Sequence, residues 1–132
     1  MKTYSQHPNR QETVTYLNKI GGDSLRFQVK GAQITISFFT PTGNLMREDV
    51  VQSVDLDTIG KFEPLSSLLY VNCLSAYQGC VTRTLTVQKI KRQYDRISLP
   101  VHSESLEPMR KALVHLIKML SIRNYHDEVL LP

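Results

Sequence analysis

The chain has no tryptophan, only two cysteines, and no apolar run near the ~18 residues that cross a membrane as a helix. Without tryptophan, and with 6 tyrosines and 4 phenylalanines, the core has to be mainly aliphatic. Cys73 and Cys80 are too few to close a four-ligand zinc site. They read as reduced thiols of a cytoplasmic protein. Residues 1–12 are polar throughout and lack the apolar stretch of a secretory signal. There is no phosphate-binding loop, no dinucleotide glycine fingerprint and no nucleophile elbow. Internal repeats and low-complexity tracts are also missing.

What is present fits one ordinary domain over residues 1–132, with a flexible start at 1–8 and an ambiguous tail at 123–132. Hydrophobic residues make up 41% and charged residues 21%, a globular balance rather than a disordered one. The net charge of +4 permits an anionic partner without requiring one.

Hydrophobic spacing gives the elements. Asn9 with Glu12 forms a capping pair, and Val14, Leu17 and Ile20 follow at steps of three until Gly21-Gly22, so a helix is expected over 10–20. Period two then takes over. Leu25, Phe27 and Val29, then Ile34, Ile36 and Phe38, flank Gly31-Ala32 as a hairpin. A third strand is expected within 46–57, with Val50, Val54 and Leu56 on one face and Asp55 and Asp57 turned to water. After a break at 60–64, Leu69, Val71 and Cys73 lead through Gln78-Gly79 into Val81, Leu85 and Val87 as a second hairpin. Residues 89–95 read as a polar hairpin tip. Ile97, Leu99 and Val101 form a last strand, which Pro100 confines to an edge or an end. Leu106, Met109, Leu113, Leu116, Ile117 and Leu120 then make an amphipathic stripe, so a closing helix is expected over 106–122.

The fold class is therefore α+β: a strongly bent antiparallel sheet or partly closed barrel of about six or seven strands, with an N-terminal helix and a long C-terminal amphipathic helix. This order resembles a pleckstrin-homology-like barrel, whose last helix covers one corner. The segments Glu12-Thr13, Tyr16-Leu17-Asn18, Gly79-Cys80-Val81 and the run from Met109 to Lys118 also resemble small bacterial proteins of Bacteroidetes type. Phosphoinositide-binding members of the superfold carry a lysine and a basic-x-basic group at the first hairpin. Here that hairpin offers Arg26 and Lys30, then Gly31-Ala32-Gln33, so the motif is absent.

The candidate contact surface is the basic stretch Arg83, Lys89, Lys91, Arg92 and Arg96, with Asp95 its only acid and Tyr94 inside it as a stacking ring. If 81–87 pairs with 97–101, these charges gather at one end of a hairpin. The plain alternative is a solvated tip whose charges deter edge-to-edge aggregation. A tight turn at Gln78-Gly79 would set Cys73 opposite Thr84, beyond disulfide reach, although another register brings the two thiols closer. His7, His102, His115 and His126 contain no helical i, i+4 metal pair, and His102 with Glu104 is a single weak pair. Glu48-Asp49, Asp55, Asp57 and Glu63 make an acidic stretch that can neutralise the basic one. No catalytic residue, metal or cofactor is expected. The expectation is a non-enzymatic protein-interaction module. Nucleic acid or anionic lipid is the alternative partner, a homo-oligomer is allowed, and an enzyme with a site assembled from distant residues is the third reading.

Overall fold

The computed structural model describes residues 9–57, 61–63 and 67–130. The start expected to be flexible at 1–8, part of the break expected at 60–64, and the side chains of His7, Glu63 and His126 lie outside the described residues. The fold is α+β.

Helix α1 spans Arg10–Gly21. Both halves of its capping box form: the Asn9 side chain accepts from the Glu12 N–H at 2.8 Å, and Glu12 accepts from the Asn9 N–H at 3.0 Å. Gly22 stops the helix in the left-handed region (φ +61°), where a side chain would be strained. Its N–H returns to the Asn18 carbonyl at 3.1 Å.

Strands β1 (Leu25–Lys30) and β2 (Gln33–Phe39) form the expected hairpin, in the register Leu25↔Phe38 to Lys30↔Gln33. Strand β3 (Leu45–Gln52) pairs with β2 so that Asp49 faces Ile36 and Val51 faces Ile34. This reverses the expected parity as far as the 3₁₀ turn: Asp49, Val51 and Ser53 are buried, while Val50 is half-buried and Val54 exposed; beyond it Leu56 is buried as expected. A carboxylate can take the inward position because two arginines meet it there, as described below.

The remaining strands are β4 (Lys61–Glu63), β5 (Leu68–Asn72), β6 (Val81–Leu85), β7 (Ile90–Tyr94) and β8 (Arg96–Pro100), and helix α2 spans Leu106–Leu130. They complete a five-stranded sheet ordered β1-β2-β3-β6-β7 and a three-stranded sheet ordered β4-β5-β8. The sheets are joined through their strands. A bridge from Leu56 to Cys73 and the β4–β5 ladder carry the line of β3 past a 3₁₀ turn at Ser53–Asp55 and into the second sheet. Strand β7 continues into β8 through Asp95 alone. The expected bent, unclosed sheet is the result. Pro100 sits on an edge strand, as its missing N–H requires.

Two expected pairings are corrected. Strands β5 and β6 do not form a hairpin with each other. Strand β5 pairs with β8 and β6 pairs with β7, from Asn72↔Arg96 on one side of Asp95 and Val81↔Tyr94 on the other. Likewise the 81–87 segment meets 90–94, not 97–101, so most of 89–95 is a strand and the turn is 86–89. Because β5 and β6 follow one another along the same bent partner line, residues 73–80 loop out between them.

Cys73 and Cys80 close the neck of that loop as a disulfide, with their Cα atoms 5.9 Å apart. The reduced-thiol expectation therefore fails, and for a geometric reason: the two residues end and begin consecutive segments of one strand line instead of facing each other across a turn. Asp95 holds the bend from the other side. Its carbonyl accepts from the Cys73 N–H at 2.8 Å and its carboxylate from the Gly79 N–H at 2.7 Å.

Helix α2 buries Leu106, Met109, Ala112, Leu113, Leu116, Ile117 and Leu120 in one core with both sheets and α1. Its backbone continues past the expected end at 122 to Leu130. No helix among the described residues is long and apolar enough to cross a membrane.

Candidate partner-binding hairpin

The contacts of the basic residues divide them into two groups. On the inner face of the five-stranded sheet the apolar rows end and a charged row begins. Asp49 is fully buried there and accepts from two arginines at once. Arg47 donates from Nε at 3.2 Å and Nη2 at 2.9 Å. Arg83, directly across the β3–β6 ladder, donates at 2.9 and 3.1 Å. The side chains of Arg47 and Arg83 stay only 21% and 14% exposed.

Each guanidinium also lies on an aromatic ring: Arg47 over Phe38 at 3.9 Å, and Arg83 over Tyr94 at 4.2 Å. Arg83 further donates to the Arg96 carbonyl at 3.2 Å, across the bend at Asp95. Arg96 in turn covers the Tyr70 ring at 4.3 Å. This chain of contacts ties β2, β3, β6, β7, β8 and β5 together. It also answers the question raised by the acidic and basic stretches, since at Asp49 and Arg83 they are neighbours that neutralise each other.

Of the six residues singled out, three are thus structurally engaged. Arg83 and Arg96 are held on rings, and one face of Tyr94 is taken by Arg83 while the ring packs on the core. The other three behave differently. Lys89, Lys91 and Arg92 are exposed on the β6–β7 hairpin and make no ion pair among the described residues. Lys89 lies in the turn with φ +56°. Arg92 faces Arg83 across the ladder and Lys91 faces Thr84, so the free cations project from both faces of β7. Val87 (81% exposed) and Ile90 add apolar surface at the tip.

Sequence reasoning missed Arg47 and the central place of Asp49. The signal was the pair Arg47 and Asp49 at strand spacing opposite a later arginine, and it needed the β3–β6 register to be read. Elsewhere an open groove of about 340 Å³ lies between Asp23, Arg26, Phe39 and Thr42. No group of three or more His, Cys, Asp or Glu side chains among the described residues is placed to hold a metal ion. Comparison of the chain with family models, with curated proteins and with solved structures gives no match.

Proposed function

We propose that this chain is a non-enzymatic binding module that meets an anionic partner through the β6–β7 hairpin. One observation carries the reading. Lys89, Lys91 and Arg92 stand exposed without an ion pair among the described residues, whereas Arg83 is tied to Asp49 and Arg96, exposed as well, lies over the Tyr70 ring. Exposed cations with no internal partner concentrate potential on a projecting element and favour encounter with negative charge. The pleckstrin-homology-like order of elements is compatible with such a role, but a fold does not assign one. The cytoplasmic placement expected from the sequence rested on reduced thiols and on the polar residues 1–12, and the Cys73–Cys80 disulfide removes the first of these supports.

The test is retention on immobilised heparin, a polyanion that reports charge without sequence or shape. The wild-type chain is expected to bind at low salt. The variant K89E/K91E/R92E is expected to flow through at salt concentrations that still retain the wild type. Equal retention of wild type and variant, both folded by circular dichroism, overturns the proposal.

A further inference from the structure

The two edges of the five-stranded sheet are treated differently. On β1, the Asn18 side chain imitates a neighbouring strand: its Oδ1 accepts from the Phe27 N–H at 2.6 Å and its Nδ2 donates to the Phe27 carbonyl at 3.2 Å. Arg10 takes the Gly31 carbonyl at 2.9 Å. Helix α1 therefore blocks that edge with side chains. On β7 nothing comparable occurs. Strand β7 ends the sheet order, β6 fills one of its sides, and Ile90, Lys91, Arg92 and Gln93 are exposed. No described residue bonds its outer backbone groups. Every second N–H and C=O of this strand is thus aimed at solvent.

We infer that β7 takes up an acidic, extended peptide as an added strand. The inference rests on the proposed function and gives that anionic partner a chemistry and a binding mode. The β7 backbone supplies a ladder of hydrogen bonds, and the alternating side chains select the partner. Arg92 projects from the inner face and Lys91 from the outer, with Lys89 at the turn, so an incoming strand finds a cation on each of its faces. Opposite charges across a strand pair stabilise it and like charges oppose it. Charge also argues against a second copy of this chain, because two β7 edges would bring their own cations together. A nucleic acid is served less well, since the Tyr94 face that would stack on a base already carries Arg83.

The probe is a fluorescein-labelled peptide of alternating valine and glutamate, long enough to span β7, read by fluorescence anisotropy. A second peptide of the same sequence carries N-methyl groups on alternate amides, which removes hydrogen-bond donors and keeps the charge. The expected result is saturable binding of the first peptide, and at least about tenfold weaker binding of the N-methylated one. K91E/R92E should weaken binding of the first by a similar factor. New hydrogen-exchange protection should appear at amides within 90–93 and nowhere on β1. Equal affinity for both peptides overturns strand addition while heparin retention still upholds the charged hairpin. Heparin retention without peptide binding does the same. Loss of both defeats the proposed function as well.

Discussion

Replacing Asp49 by asparagine keeps the size of the buried side chain and removes its charge. In the native protein that carboxylate accepts four N–H bonds from Arg47 and Arg83, between 2.9 and 3.2 Å. The amide of D49N can still accept on one side, but on the other it sets its own N–H groups against guanidinium donors. Stranding the charged partner of a buried pair costs about 3–5 kcal/mol. The lower end applies here, because the arginine side chains keep 21% and 14% exposure and can turn partly to water. With about 2.1 cal/mol/K of unfolding entropy per residue over 132 residues, about 3 kcal/mol lowers Tm by roughly 10 °C. The assay is thermal unfolding followed by circular dichroism, repeated in urea to check that the slope is unchanged. The triple variant R47M/D49L/R83M strands no charge and should recover most of the loss. If D49N melts within about 2 °C of wild type, the carboxylate does not hold β3 to β6 and the reasoning is wrong.

Other outcomes follow from the same structure. The Cys73–Cys80 disulfide closes a loop with a sequence separation of 7, for which chain entropy gives about 2.5 kcal/mol. C73A/C80A should therefore melt about 9 °C lower, and an unchanged Tm would show that the loop neck is held without it. In Gly21→Ala the new Cβ would meet the Leu25 Cβ at 2.9 Å, with strand rather than flexible side chain behind it, so urea unfolding should show a clear loss. Asn18→Ala leaves the Phe27 N–H and carbonyl without their partner, at a cost of about 1–3 kcal/mol. Its faster hydrogen exchange should be confined to β1. Glu107 is held below the ordinary carboxylate range, first by its hydrogen bond from Arg110 and then by the Arg110 and Lys111 charges. Its small contribution is present above the unfolded glutamate range and is lost as pH falls through the lowered value. An R110A chain should lose that pH dependence in a comparison of stabilities.

Legibility varied along the chain with the source of the pattern. The capping box at Asn9 and Glu12, the first hairpin and the stripe of α2 were readable because local spacing and burial agree there. Strand β7 was not, since Ile90, Lys91, Arg92, Gln93 and Tyr94 show no apolar alternation when both faces run beyond the core. The face of β3 was misread because Asp49 points inward, and only the distant Arg83 makes that tolerable. Cys73 and Cys80 were kept apart by assuming that neighbouring strands in sequence pair with each other. Here both instead pair with a third line, a nonlocal arrangement that no local spacing encodes. Of the candidate surface, sequence supplied all six residues. In the structure Arg83 and Tyr94 brace the fold, Arg96 is exposed but lies on the Tyr70 ring, and Lys89, Lys91 and Arg92 face outward without such a contact.

The most direct measurement is a two-dimensional amide NMR titration of the folded chain with a short heparin oligosaccharide. Shifts are expected to saturate together and to cluster on residues 86–94, led by Lys89, Lys91 and Arg92. Shifts gathered instead around Arg10, Lys19 and Lys30, or none at low salt, would contradict it.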